Sequence, residues 1–322
     1  MPRPLPSRTV RAAALLGATA LVLAACADDT ADEPAATGAP ATMDAATDAA
    51  TDTATDTATD AATDAAAGGA IEGCDPASLE TLTEGTLTMA TSEPAFEPWM
   101  VENDPTNEQG YESAVAYAVA ERLGYADDAV EWVRVPFEAA IAPGPKDFDV
   151  AINQFSITEE RRQAVDFSSP YYDVRQAVVT TAGSPADGAT TTGELGEVLI
   201  GAQVGTTSLQ AIEELIGPTM QPQVFNSNED AVTALQNGQV DAIVVDLPTA
   251  FFVTAVQLDD GVIVGQLPEL GEDPEQFGMV LDLGSPLTDC VSRAVDALEA
   301  DGTLDALQEE WLADVAGAPE LG

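Results

Sequence analysis

From residue 70 onward, short apolar runs alternate with stretches in which apolar positions recur at helical spacing. Segments 87–90, 130–135, 149–152, 242–245 and 262–264 have the length and β-branched content of strands. Segments 113–123, 211–216 and 231–236 carry the periodicity of helices. Strands that alternate with helices predict βαβ units and a mainly parallel sheet flanked by helices, an α/β fold. Residues 70–322 are enough chain for two lobes with a core each.

The N-terminal pattern is different. Arg3, Arg8 and Arg11 precede an apolar stretch over 12–23, which is too short and too soon followed by Asp28 and Asp29 to hold a membrane span. Residues 1–25 therefore read as a signal peptide without a twin-arginine pair, which points to general secretion. Leu23-Ala24-Ala25-Cys26 resembles the bacterial lipoprotein box, which implies a lipid on Cys26 and an anchor on the outer face of the cell membrane. Residues 26–69 read as that lipidated cysteine and a solvated tether, with Asp at every fourth position from Asp44 to Asp64 and Met43 as the one large apolar residue of 27–69. On a helix this spacing would stack like charges, and so little apolar surface cannot offset the entropy of ordering. As a flexible coil the tether spans roughly 35 Å.

Charge and composition remove several functions. Residues 70–322 hold 46 acidic against seven basic side chains, a surface that repels nucleic acid. The chain has no histidine, which excludes Ser-His-Asp and Cys-His catalysis and histidine metal sites. No Walker or Rossmann glycine pattern and no calcium-loop spacing is present, so neither cofactor nor metal is expected. Cys74 and Cys290 remain after Cys26, an even pair outside the membrane that invites a disulfide, with two buried free thiols as the alternative.

Residues 149–172, DVAINQFSITEERRQAVDFSSPYY, are the most informative stretch. A strand ends at Ile152; Asn153, Gln154 and Ser156 then offer polar side chains, and Thr158 with Glu159 and Glu160 reads as a helix start. Strand ends beside helix N-termini are where open α/β sheets take ligands. Arg161, one turn into that helix, offers a planar fork for a carboxylate; by itself it could equally be a surface arginine paired with a neighbouring glutamate.

S-I-T-E-E-R followed by D-F-S-S-P-Y-Y closely resembles the signature of the family 3, or polar amino acid, extracellular solute-binding proteins of ABC importers. The opening strand Gly85–Thr91, Gly110-Tyr111-Glu112, Gly205-Thr206-Thr207 and the segment from Gly238 to Asp246 are similar to further family motifs in the same order. The resemblance implies a two-lobed periplasmic-binding-protein fold of type II. Lobe 1 would comprise 70–176 and 267–322, lobe 2 would comprise 177–266, strands 177–181 and 277–281 would flank the two crossings, and ligand would bind between the lobes. Both cysteines would then lie in lobe 1, which suits a disulfide.

The same resemblance assigns the site. Arg161 would hold the ligand carboxylate, Ser156, Thr206 and Thr207 would add hydrogen bonds, and Asp246 would accept from the ammonium unless it only caps the turn at Leu247. Phe96 and Phe137 would flank the side chain, although either reads equally as core. Glu93 favours a cationic or amide side chain, whereas Asn153 and Gln154 would narrow the pocket toward a smaller polar ligand. Trp99, Trp132 and Trp311 read as packing residues. The implied partners are a polar amino acid, an ABC permease and the membrane, with the protein monomeric and not an enzyme. The rivals are a dehydratase-like enzyme on the same fold, with Glu93 as the nameable acid or base, and a ligand-sensing surface protein.

Overall fold

The computed structural model of the protein describes residues 70–271, 273–312 and 317–322; the signal segment, Cys26 and the tether lie outside the described residues. Ten strands are present among them: β1 (Leu87–Thr91), β2 (Val130–Arg134), β3 (Val150–Ala151), β4 (Val165–Val174), β5 (Gln176–Thr181), β6 (Ile200–Gln203), β7 (Gln223–Phe225), β8 (Ala242–Asp246), β9 (Gly261–Gln266) and β10 (Glu275–Asp282). The helices are α1 (Tyr111–Arg122), α2 (Phe137–Ile141), α3 (Thr207–Ala211), α4 (Asn228–Gln236), α5 (Leu247–Phe252), α6 (Thr288–Ala300) and α7 (Thr303–Leu312). Two five-stranded sheets form, in the orders β2-β1-β3-β10-β4 and β7-β6-β8-β5-β9.

Each sheet is buried on both faces, which is why its inner strands read as unbroken apolar runs. Along β10, Phe277, Met279 and Leu281 enter one core and Val280 the other. Along β8, Ala242 and Val244 face one core while Ile243 and Val245 face the opposite one. Side chains alternate across a strand, so a strand between two helix layers needs apolar residues at every position.

The sheets are mixed but mainly parallel, as the alternation of elements predicts: four of the five strands in each run one way and one runs against them. β1, β2 and β3 run parallel, as do β6, β7 and β8, but β10 is antiparallel to β3 and β4, and β5 is antiparallel to β8 and β9. The reason is topological. The chain leaves the first sheet through β4 directly into β5 and returns from β9 into β10, so each sheet holds one outgoing and one incoming strand side by side. Those two crossings join the lobes. The C-terminal tail adds a third link: Leu321 packs in a core of the second sheet and Gln266 bridges Glu320, although 267–322 was expected with the first lobe.

The helix expected from Thr158 is a single 3-10 turn, Arg161–Gln163. Val165 and Phe167 are buried in the first sheet, so β4 starts before a helix can develop. The Thr158 hydroxyl still accepts from the Arg161 amide at 3.2 Å, a cap for that turn. Cys74 and Cys290 are joined in a disulfide that pins the N-terminal segment to α6.

Candidate functional site

The cavity between the sheets measures about 280 Å3 and is walled by residues at the C-terminal ends of strands from both lobes. Ser92 and Glu93 follow β1, Arg134 ends β2, Asn153 and Gln154 follow β3, Thr206 and Thr207 follow β6, and Asp246 ends β8. Phe96, Phe137 and Arg161 complete the predicted set on this wall. Ser156 does not reach it. That residue lies behind, where its carbonyl accepts from Arg161 Nη1 at 2.7 Å and its hydroxyl donates to Glu275 at 2.6 Å.

Arg161 is 8% exposed. Its Nη2 donates to the carbonyl of Gly205 across the cleft at 3.0 Å, and the guanidinium lies 5.4 Å from the centre of the Phe137 ring, which itself stacks on Phe155. Gly205 has φ +71°, a conformation strained for any side chain. Burial pushes the Arg161 guanidinium down to about 10, opposed by the charges of Glu275 and Glu160, so it is a cation at neutral pH. Two of its five N–H groups are used by backbone carbonyls, which leaves donors for a carboxylate.

Asp246 stands on the other lobe, 6% exposed. It caps α5 by accepting from the Thr249 amide and hydroxyl, both at 2.9 Å. The capping reading of this aspartate is thus observed, and the same side chain lines the cavity. Burial pushes its carboxyl up to about 6, with the charge of Glu275 adding to the rise and the Thr249 bonds opposing it. Neither Arg161 nor Asp246 forms an ion pair among the described residues, so a buried cation and a buried carboxylate face one cavity from opposite lobes without neutralising each other.

Residues 87–314 match the family described as bacterial extracellular solute-binding proteins, family 3. The chain belongs to that family. It is 28% identical over 242 residues to a probable histidine-binding protein of Campylobacter jejuni, covering 73% of this chain and 88% of that one. It is also 28% identical over 249 residues to the L-cystine-binding protein of Escherichia coli, covering 75% and 88%. Among solved structures, an ancestral arginine-binding protein bound to arginine is 31% identical, covers 70% of this chain and 98% of its own, and superposes with a TM-score of 0.59. An ancestral amino acid-binding protein, a precursor of cyclohexadienyl dehydratase, is 28% identical with a TM-score of 0.60, covering 70% and 95%.

Behind the wall are residues that sequence reasoning left out. Glu112, at the start of α1, is fully buried and accepts from the Gln154 amide at 2.6 Å, from the Gln154 side chain and from the Tyr171 hydroxyl. Burial pushes its carboxyl up to about 7 against the pull of those bonds. The same bonds hold Gln154 at φ +46°, left-handed for a non-glycine residue. Gly110 makes the approach possible, since a Cβ there would sit 2.5 Å from the Trp99 carbonyl, and this carbonyl accepts from the Glu112 amide. Gln176, at the first crossing, was also left out and lies on the wall itself, where it donates to Glu275 and accepts from the Ser208 hydroxyl at 2.7 Å.

Trp99 does more than pack. Its ring sits edge-on to Tyr111, Tyr172 and Phe277 in the first lobe, and its Nε1 donates to the Thr249 hydroxyl of the second lobe at 2.9 Å. This bond, the contact of Ser156 Oγ with Thr207 Oγ1 at 3.1 Å, and the bonds of Arg161 to Gly205 and of Gln176 to Glu275 tie the lobes together across the cleft.

Proposed function

We propose that this chain captures a polar amino acid between its lobes and hands it to the permease of an ABC importer, without covalent chemistry on the ligand. The observation that carries the reading is the unpaired Arg161 guanidinium opposite the unpaired Asp246 carboxylate, the complement of an amino acid's carboxylate and ammonium. Thr206, Thr207, Asn153 and Gln154 would add hydrogen bonds, and Phe96 and Phe137 would flank the ligand side chain. An arriving ammonium stabilises the ionised form of Asp246, so capture displaces any proton held there. The probable histidine-binding relative, the L-cystine-binding relative and a solved substrate-binding protein of an amino acid ABC transporter support an amino acid as ligand. Ligand that touches both lobes favours their closed arrangement, and the permease reads that arrangement. The lipoprotein-like Leu23-Ala24-Ala25-Cys26 supports an anchor through a lipid on Cys26, outside the cytoplasm, with the folded part acting as a monomer.

A thermal-shift screen of the common amino acids tests the reading. Ligand at 100 times its Kd stabilises by about 2.7 kcal/mol, a rise of about 5–10 °C for a chain of this size. One amino acid or a related few are expected to give that rise, and Arg161→Ala to remove it. A shift that survives Arg161→Ala would move the carboxylate site elsewhere. The likeness to a dehydratase precursor favours a second reading, an enzyme on this fold; quantitative recovery of unchanged ligand after long incubation separates the two.

A further inference from the structure

The cavity wall carries four ionisable side chains: Glu93, Arg134, Arg161 and Asp246. If an amino acid's carboxylate and ammonium take Arg161 and Asp246, as the proposed function holds, Glu93 and Arg134 are left to meet its side chain. These two are not free. Arg134 Nε lies 3.3 Å from one Glu93 oxygen, and the Asn103 side-chain amide donates to the other at 2.6 Å. The rest of the Arg134 guanidinium is held in turn: Nη1 donates to the Ser92 carbonyl at 2.6 Å and to Asn103 Oδ1 at 3.2 Å, and Nη2 donates to the Asn103 carbonyl. Asn103 Oδ1 also accepts from the Ala95 amide at 2.6 Å, which ties the pair to the loop after β1.

Glu93 is the residue that sequence reasoning offered to a cationic or amide ligand end, and Arg134 already fills the cationic half of that role. The remaining polar wall is uncharged: Asn153, Gln203, Asn226 and Asn228 present amides that both donate and accept, and Gln154 presents an acceptor. The Gln154 amide nitrogen is committed to Glu112, and no donor among the described residues reaches its oxygen.

We propose that the Glu93–Arg134 pair sets the specificity of the cleft, and that the ligand is a zwitterion with an uncharged hydrogen-bonding side chain of the carboxamide class, not a cationic or anionic amino acid. This rests on the amino-acid reading above and narrows it. The pair is partly open to solvent, with 58% of the Glu93 and 29% of the Arg134 side chain exposed, and a ligand side-chain charge that displaced this water would either stay uncompensated or break the pair, each at a cost in free energy. A carboxamide demands neither, and the wall amides match its donors and acceptor. Two negative groups lie behind the wall, Glu275 and Glu112, but their hydrogen bonds run to Ser156, Gln176, Gln154 and Tyr171 and not to Glu93 or Arg134. The side-chain charge balance thus falls to the one pair.

Isothermal titration of the full chain in detergent with glutamine, asparagine, arginine, lysine and glutamate tests this directly. Wild type is expected to bind a carboxamide at least tenfold more tightly than any of the three charged amino acids. In Arg134→Met, Glu93 loses its internal cation, and arginine or lysine should gain at least tenfold relative to glutamine. Adding Glu93→Gln to that variant should erase the gain. A wild type that prefers a charged amino acid overturns the proposal even if Arg134→Met does not fold. An unchanged ranking in a folded Arg134→Met overturns it as well. Binding with the wrong ranking leaves the amino-acid reading standing, whereas no binding to any amino acid sinks both.

Discussion

Glu112 is fully buried, and its fate depends on three hydrogen bonds from Gln154 and Tyr171. Its carboxyl is raised from 4.5 to about 7, so between these values the folded chain keeps a proton that the unfolded chain has released. Stability from this group is therefore greatest below about pH 4.5 and is lost as pH rises to about 7. The full loss is on the order of 3 kcal/mol. Urea unfolding of wild type and Glu112→Gln across pH 4.5–8 isolates it: the stability of wild type relative to the variant should fall over this window by that order. A pH-independent difference would mean that Glu112 stays ionised throughout. The sequence marked Glu112 only as part of a helix motif. A glutamate in a helix's first turn is ordinarily solvated and favourable there, and nothing local shows that a loop 42 residues away closes over it.

At the scale of elements, the loop after β1 and the start of α5 meet through Trp99 and Thr249. The Thr249 hydroxyl donates to Asp246 and accepts from the indole, so closure of the lobes and the capping of α5 share one side chain. Trp99→Phe keeps an aromatic body in the cluster and removes the donor. A net hydrogen bond of about 1 kcal/mol corresponds to roughly a fivefold change in equilibrium. The variant should bind its ligand about fivefold more weakly and populate the open form more, visible as a larger radius of gyration by X-ray scattering. Unchanged affinity and radius would leave the indole as packing alone. The reading of Trp99 as packing was right about the ring; its N–H partner lies 150 residues away in the other lobe. The elements themselves were legible, since α1, α4, β2 and β8 fall within a few residues of the periodic segments. The turn at Arg161 was not, because its residues suit a helix and only the pairing of β4 with β10 denies them the length.

For the whole molecule, the disulfide spans 216 residues of sequence, nearly the entire folded part. On the chain-entropy model, cross-linking so long a loop is worth about 5 kcal/mol. Reduction should lower Tm by about 10 °C or more while ligand binding persists at 25 °C, because neither cysteine touches the cavity. Calorimetry with and without reductant, read beside titration of the reduced protein, checks both halves. A Tm that does not move would mean that the unfolded chain is already compact.

By itself the sequence determined the α/β class, the family and nine of the residues that line the cavity. It could do so because strand ends deliver their polar residues to one edge, in chain order, through short local motifs such as Ser156–Arg161 and Gly205–Thr207. The cysteine pair was legible too, since with Cys26 assigned elsewhere each had a single partner. Only the tertiary structure decided that Ser156 stands behind the wall, that the sheets are mixed, that Trp99 reaches Thr249 and that Arg134 occupies Glu93. Each of these depends on which distant side chain arrives, and many glutamates and arginines of this acidic chain present the same local pattern, so pairing in space alone selects between them.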